Sequence, residues 1–401
     1  MPRRVTLVLQ DRDGAVVGAL EPFTVEPPWY SEVESVVAEA RDAHGVDIVV
    51  LRVLEVAPEP GNQWGMGGSA AYAVELDGAP PSALIDADPR LVTLATTNDA
   101  LRLPYARPGG PARELEWATS VLSRHGRAPN GPPRQMRTWN LSSIWAIPTA
   151  EGTVWLKSVP PFFAHEGAAI AFLHDPALPP LLGQERGRAL LDDIPGSDHY
   201  DTDLPTLERA VSILVAIQDR VANDVDALFA LGLPDWRGPA LRVLAADVVE
   251  RHAHEVTDTE RASIDTLLDG FDARAAAIDA CGLPPALVHG DFHSGNLRGD
   301  LPVLLDWGDC GVGHPLLDHP AMLDSLPSAQ SEPLAAHWAN EWRARRPGCD
   351  PERAAQLLAP IAALRQAVIY RGFLDRIEAT ERSYHESDPA RWLRLAAART
   401  C

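Results

Sequence analysis

Between positions 287 and 318 the chain reads LVHGDFHSGNLRGDLPVLLDWGDCGVGHPLLD, and this stretch limits the possible folds more than any other. Two short apolar runs, Leu287-Val288 and Val303-Leu304-Leu305, bracket a loop crowded with His289, Asp291, His293 and Asn296, and Asp306 follows the second run directly. Glycines and Pro302 interrupt the stretch too often for a helix, and its apolar positions do not recur at helical spacing. Such runs read as short buried strands with polar loops at their ends. The fold must therefore hold several carboxylates together beside a small buried sheet.

Around this insert the pattern is helical. Ala, Leu, Ile and Val recur at helical spacing over residues 207–231, 240–256, 260–280, 333–346, 352–380 and 389–400. Upstream the pattern is mixed. Residues 5–10 and 16–20 flank Asp11-Arg12-Asp13-Gly14, a hairpin signal. Ser31-Glu32-Val33-Glu34 has the form of a capping box, and Val33, Val36, Val37 and Ala40 define one face of a helix ending near Gly45. Strands are predicted at 46–56 and 71–76, and a helix at about 112–125. Gly65-Met66-Gly67-Gly68 precedes a strand rather than opening a helix, so it reads as a loop and not as an anion cradle. The Pro- and Gly-rich residues 126–133 are the predicted boundary. Beyond it come a hairpin of 143–148 and 153–157, a helix over 163–174 and an apolar segment at 190–194. The expected organisation is a small α+β domain of unknown role over 1–125, a linker over 126–133 and a second domain over 134–400. That second domain has a mixed lobe to about 194 and a mainly helical lobe from about 195.

Bulk properties exclude several function classes. A chain of 401 residues with 46% hydrophobic and 23% charged residues can bury a sizeable core in two or more domains. The apolar run after Arg3-Arg4 is too short for a secretory signal, and no run approaches the roughly 18 apolar residues of a membrane span. A soluble, cytoplasmic protein without a membrane partner is expected. Cys281, Cys310, Cys349 and Cys401 form no C-x-x-C pair, which argues against a disulfide framework or a zinc site. The net charge of −21 disfavours nucleic acid and suits a cationic small substrate. Lys157 is the single lysine, and every other cation among the 35 Lys and Arg residues is arginine.

The residue types at 287–318 suit phosphoryl transfer. That reaction needs oxygen ligands for Mg²⁺, a carboxylate beside the acceptor hydroxyl and a cation on the phosphates. Asp291 and Asn296 lie five positions apart, as the corresponding residues of the protein-kinase catalytic loop do, so one loop can present both a base and a carboxamide oxygen. Asp306 ends a strand, where a metal ligand is well held.

HGDFHSGNL and LLDWGDCGVGHPLLD together resemble the paired patterns H-G-D-x-x-x-x-N and D-W-x-x-x-x-x-G-x-P-x-x-D of the aminoglycoside phosphotransferase family, relatives of choline kinases and protein kinases. His289, Gly290, Asp291, Asn296, Asp306, Trp307, Gly313, Pro315 and Asp318 fill every fixed position. The resemblance covers residues from about 134 to 318 well and the helical tail loosely. It implies an α+β, protein-kinase-like two-lobed fold, with ATP and Mg²⁺ as cofactors. Asp291 is then the catalytic base, and Asn296 and Asp306 bind the metal. His289 positions the loop, Asp318 holds the loop and the following helix, and His293 and Asp309 make loop hydrogen bonds.

The same template asks for a lysine on a strand and a glutamate on the next helix. Lys157 ends a predicted strand, and Glu166 sits on the following helix beside the apolar Ala169, Ile170 and Leu173. A surface lysine at a strand end is the plain alternative. It leaves open why arginine was not used at this one site, where a compact ammonium fits differently from a guanidinium fork. Asp192, Asp193 and Ile194 lie where the family has its hinge, whose backbone faces the adenine. Ser142 and Ser143, in a loop without the full glycine set, are candidate phosphate donors. Asp324, Glu332, Glu341, Asp375 and Glu378 are candidate acceptor contacts or merely solvated helix faces, and Trp338 and Trp342 either wall a pocket or pack helices. The expected activity is a kinase acting on a hydroxyl of a small molecule, with an aminoglycoside among the candidates. The alternatives are a sugar or amino alcohol kinase and, from another class, a pseudokinase-like binding or regulatory module.

Overall fold

A computed structural model describes residues 2–61, 66–79 and 83–400. Gly65 of the glycine-rich piece and Cys401 lie outside the described residues. The chain divides into two compact units. One comprises Met1–Phe162, Leu181–Asp193 and Arg376–Glu386; the other comprises Phe163–Pro180, Ile194–Asp375 and Ser387–Cys401.

The first unit contains two sheets. Strands β1 (Arg3–Gln10), β2 (Val16–Ala19), β3 (Phe23–Val25), β4 (Ile48–Ala57) and β5 (Gly68–Leu76) form the front sheet. Its order is β2-β1-β5-β4, with β3 also on β1, and β1 and β5 run parallel. Side chains alternate across β1 as the pleat requires. Val5, Leu7 and Leu9 pack with Val36 and Ala40 of helix α1 (Glu34–His44). Val8 faces Leu91 and Ala95 of helix α2 (Pro89–Thr96). Strands β6 (Arg134–Thr138), β7 (Ser143–Thr149), β8 (Gly152–Ser158), β9 (Leu181–Glu185) and β10 (Arg188–Asp192) form the second sheet, in the order β6-β7-β8-β10-β9 with antiparallel neighbours. Helix α3 (Gly110–Arg124) covers it, placing Ala118, Val121 and Leu122 on Trp145, Ile147, Val154, Leu156 and Leu190.

The predicted capping box at Ser31 does not form. Helix α1 begins only at Glu34, after Val33, with no side-chain cap. The backbone before it is extended: Thr138 N–H donates to the Ser31 carbonyl at 2.9 Å, Val33 N–H donates to that of Met136 at 3.1 Å, and Glu32 bridges Arg137. Pairing with β6 takes the residues that a cap would have used. Glu34 forms an ion pair with Arg134 at 2.7 Å instead.

A buried charge cluster closes this unit. The outer edge of β4 would leave backbone groups unpaired, and two side chains satisfy them. Gln135 donates to the Val50 carbonyl and accepts from the Val50 N–H, at 2.7 and 2.9 Å. Glu381, in the 3-10 turn Ala379–Tyr384, accepts from the N–H groups of Val53 and Asn140. Beside it, Glu378 pairs with Arg102 at 2.9 Å and with Arg52 at 3.8 Å. Glu378 is therefore a buried ion-pair partner, not part of a solvated helix face.

Burial, with the nearby Glu378 charge, pushes the Glu381 carboxyl up to about 8 against the opposing pull of those two N–H bonds and Arg52. Between its ordinary 4.5 and about 8 the folded protein keeps a proton that the unfolded chain has released. This contribution to stability is full below 4.5 and lost as the pH rises through about 8. Glu381→Gln, which cannot titrate, is expected to flatten that decline, as read from denaturant midpoints across the window.

The second unit is mainly helical, with α4 (Glu166–Leu173), α5 (Leu204–Val221), α6 (Val225–Ala230), α7 (Gly238–Arg251), α8 (Asp258–Asp269), α9 (Phe271–Asp279), α10 (His319–Leu323), α11 (Ser328–Arg345), α12 (Pro351–Leu374) and α13 (Asp388–Ala398). Two small antiparallel pairs interrupt it: β11 (Ala286–Val288) with β14 (Gly311–Gly313), and β12 (Leu297–Arg298) with β13 (Val303–Leu304). Two predicted helices are each divided, 207–231 between α5 and α6 and 260–280 at Gly270, a poor helix former. The capping signature that does work here is Thr257 with Glu260, which bond reciprocally at the start of α8. Helix α12 is long and apolar enough to cross a membrane, but 67% of its apolar window is buried, as in a core helix.

Candidate active site

The loop after β11 gathers the sequence-predicted acid–base residues. Gly290 has φ +95°, and a Cβ there would lie 2.2 Å from the Asp309 carbonyl oxygen, so only glycine fits between the two loops. The turn exposes Asp291, whose side chain is 41% accessible. Asn296 Nδ2 donates to the Asp291 carbonyl at 2.8 Å and to its Oδ2 at 2.9 Å. His293 Nε2 lies 3.4 Å from the same Oδ2, while its Nδ1 accepts from the Gly295 N–H at 3.0 Å. Desolvation pushes the Asp291 carboxyl up, but the His293 bond and charge, the nearby His289 and the Asn296 amide outweigh it, and the net direction is downward. For His293, burial pulls down, but the Asp291 bond and charge together with the Asp306 charge outweigh it, and the net direction is upward.

His289 is fully buried, and burial lowers its imidazole to about 4, so it is neutral at physiological pH. Its Nδ1 accepts from the Asp291 N–H at 3.4 Å, which leaves Nε2–H to donate to the Leu305 carbonyl at 3.0 Å. The ring also packs on Trp307, with centroids 4.4 Å apart. It thus ties the Asp291 loop to the segment carrying Asp306.

Asp306 follows β13 with φ 60° and ψ 68°, a left-handed conformation unusual for a residue other than glycine and tolerated best by Asp and Asn. The next backbone N–H, that of Trp307, donates to Glu166 Oε1 at 3.1 Å. Glu166 is buried in the first turn of α4, so that helix braces the Asp306 turn.

Asp318 lies behind the loop with no exposed surface. Its Oδ2 accepts from the His289 N–H at 2.8 Å and from Gln218 Nε2 at 2.9 Å, and its Oδ1 accepts from the Gly290 N–H at 2.7 Å. Burial pushes its carboxyl up to about 6 despite these bonds. It holds the loop as expected, but makes no side-chain cap on the following helix, α10.

Sequence reasoning missed Arg365 and Gln366 of α12, which donate to the Gly290 carbonyl at 3.4 Å; Arg365 also donates to the Asp309 carbonyl at 3.3 Å. They lie 75 and 76 positions from that glycine in a plain helical pattern, with no local signal. Tyr200 was missed as well. Its ring is 69% exposed, yet a Cβ on Gly295 would lie 2.8 Å from its Cε1.

The remaining predicted residues belong to the first unit, except Ile194, whose carbonyl accepts from Arg298 Nε at 2.9 Å in the second. Lys157 lies on the central strand β8, opposite Ile144 of β7 and Ala189 of β10. Ser142 Oγ accepts from Trp139 Nε1 at 3.1 Å, and Ser143 opens β7; both are buried. Asp192 makes a bidentate ion pair with Arg127, both distances 2.9 Å, and Asp193 Oδ1 accepts from Trp155 Nε1 at 2.8 Å. The Asp192 and Asp193 side chains are thus engaged in holding the end of β10.

Most candidate acceptor contacts have structural partners. Asp324 pairs with Arg399, Glu341 with Arg345, and Asp375 with Arg251 and Arg371. Trp338 and Trp342 are fully buried; Trp338 meets Phe292 of the Asp291 loop edge to face and His319 of α10 at 5.2 Å, so these rings are core packing. Among the described residues no cluster of three or more His, Cys, Asp or Glu forms a ready metal cage.

A family model described as "Phosphotransferase enzyme family" matches residues 153–393. Among solved structures the chain is similar to the macrolide 2'-phosphotransferase MphH of Brachybacterium faecium, at 21% identity over 69% of this chain and 97% of that one, with a TM-score of 0.50. It is also similar to a macrolide 2'-phosphotransferase type I, at 18% identity over 69% of this chain and 96% of that one, again with a TM-score of 0.50. At these identities the likeness is one of fold. A comparison with curated protein sequences found no match.

Proposed function

We propose, from the premise that the chain belongs to the phosphotransferase enzyme family, that it transfers the γ-phosphoryl group of ATP to a hydroxyl of a small molecule in a Mg²⁺-dependent reaction. The observation that carries this reading is the arrangement of Asn296 and Asp291. The Asn296 amide nitrogen donates to the Asp291 carboxylate, which aims that carboxylate and leaves the Asn296 oxygen as the atom to meet a cation.

In this reading Asp291 accepts the proton of the acceptor hydroxyl as its oxygen bonds to the γ-phosphorus, and the bond from phosphorus to the β-bridging oxygen breaks to release ADP. Asn296 Oδ1 and Asp306 would hold Mg²⁺, a hard cation usually bound by one or two protein carboxylates or carboxamides together with substrate phosphates. Bound there, it would neutralise charge developing on the phosphates. Lys157 is assigned to the phosphates. Glu166 supports the Asp306 turn and is assigned to the same nucleotide-binding set. Ser142 and Ser143 sit at the turn assigned to cover the phosphates. Because the Asp192 and Asp193 side chains are occupied, the hinge is assigned to adenine through backbone groups, with Ile194 closing it. We assign residues 1–125 to a domain that precedes the kinase domain.

The net charge of −21 favours a cationic acceptor such as an aminoglycoside; sugars, amino alcohols and macrolides complete the panel. ATP as donor fits a cytoplasmic enzyme. A screen for ADP release over these compounds tests the proposal: acceptor-dependent release supports it, and none with any hydroxyl compound sinks it. The pseudokinase alternative predicts nucleotide or ligand binding without turnover, and the presence of Lys157, Asp291, Asn296 and Asp306 speaks against it.

Asp306→Asn tests the metal assignment separately. Asparagine tolerates the left-handed conformation, so the substitution removes charge and little else. It is expected to raise the Mg²⁺ concentration for half-maximal activity by roughly tenfold or more, the equivalent of about 1.4 kcal/mol. An unchanged Mg²⁺ titration would remove Asp306 from the metal.

A further inference from the structure

The turn between β6 and β7, residues 139–142, is held from outside its own hairpin. Within the turn, Trp139 N–H donates to the Ser142 carbonyl at 3.0 Å, which closes it. Three residues outside the turn, Tyr105, Glu381 and Tyr384, then fix it in place. Tyr105 OH donates to the Trp139 carbonyl at 2.9 Å. Asn140 Nδ2 donates to the Glu381 carbonyl at 3.1 Å, and the Asn140 N–H donates to the Glu381 carboxyl group. The Trp139 ring meets Tyr384 nearly edge on, with centroids 5.1 Å apart, and Tyr384 meets Tyr30 in the same way at 4.9 Å. Glu381 also accepts from Val53 N–H, so one buried side chain joins the turn to the edge of the front sheet.

Covering a sheet edge does not need this arrangement. An apolar residue could have shielded β4, whereas a buried carboxyl group is stable only where its hydrogen bonds are made. What this contact adds is direction: the Glu381 carboxyl takes the Asn140 N–H, the Glu381 main-chain carbonyl takes Asn140 Nδ2, and together they determine where the turn stands relative to the front sheet. A turn without a full glycine set gains little from backbone freedom, so holding it in one place reduces the ordering that a bound ligand would otherwise have to impose.

We propose that Glu381 is a positioning residue for nucleotide binding, acting through Asn140 to set the turn at residues 139–142. This rests on the assignment of that turn to the phosphates in the proposed function. It gives the segment Arg376–Glu386 and the front sheet a role in donor affinity.

The test is calorimetric binding of Mg·ADP to the full-length protein, together with ATP kinetics on an acceptor that the screen identifies. Glu381→Ala and Asn140→Ala are each expected to weaken ADP roughly tenfold, the effect of about 1.4 kcal/mol. Each should raise the KM for ATP by a similar factor and leave kcat at saturating ATP within about twofold, since bonds to the donor alone alter uniform binding. Glu381→Gln keeps an acceptor oxygen for both N–H groups and is expected to bind ADP within about threefold of wild type, a difference under about 1 kcal/mol. Glu381→Ala removes the carboxyl bond to the Asn140 N–H, and Asn140→Ala removes the Nδ2 bond to the Glu381 carbonyl; if Glu381→Ala does not fold, Asn140→Ala decides whether the tether between the two residues positions the turn. Wild-type affinity and KM in Asn140→Ala, with only a lowered Tm, would overturn the inference and leave the proposed function standing. A wild-type protein that binds no Mg·ADP would overturn the parent reading and this one with it.

Discussion

Asp291→Ala is expected to lower kcat by roughly 10²–10⁴-fold, the range for loss of a positioned general base. Mg·ADP affinity should change little, because the carboxylate faces the acceptor in this assignment and not the nucleotide. The environment of Asp291 explains why the effect should fall on kcat. Its Oδ2 already receives Asn296 Nδ2 at 2.9 Å and stands 3.4 Å from His293 Nε2, so the carboxylate is aimed before substrate arrives. Preorganisation of this kind is lost whole when the group is removed. Asp291→Asn offers a sharper contrast: it keeps the size and loses the basicity, and should fall nearly as far as alanine. Single-turnover measurements separate the chemical step from release of product.

Asp318→Ala is expected to reduce folding stability by about 3–5 kcal/mol, the range for removing one partner of a buried charged network. The His289 and Gly290 N–H groups would lose their acceptor in a site without water access, and each orphaned group costs about 1–3 kcal/mol. Arg365, buried close by, would lose a favourable charge. Against a typical stability of about 5–15 kcal/mol this is a large fraction. Asp318→Asn should lie between, because one acceptor oxygen remains while an amide NH₂ faces a backbone N–H. Chemical denaturation measures both, and a change below about 0.5 kcal/mol, typical of a surface site, would contradict the bonding described.

The juxtaposition of the residues proposed as base and metal ligands was partly legible in the sequence because it is local. The five-position spacing of Asp291 and Asn296 is enough to place both on one loop, whereas the bond from the amide to the carboxylate came only from the structure. That Asp306 comes just after a short strand was legible too, although the strand stops at Leu304; its left-handed backbone was not, since nothing in the residue type requires it. What stayed hidden is the support. Arg365 reaches the loop from a helix whose periodicity reads as ordinary core, and Glu381 reaches Asn140 across 241 positions. The failed cap at Ser31 has a related cause: a local signal lost to a strand pairing with β6, more than a hundred positions away. Local spacing reports which side chains share a loop, and tertiary pairing decides what holds that loop still.

The measurement that tests the central claim most directly follows the γ-phosphoryl group itself. Wild-type protein is incubated with Mg²⁺, isotopically γ-labelled ATP and the acceptor panel, and products are resolved by mass spectrometry beside an Asp291→Ala control. The account predicts label on a hydroxyl of one acceptor class with the wild type and very little with the variant. Label that stays on ATP, or appears only as inorganic phosphate whatever acceptor is supplied, would contradict it.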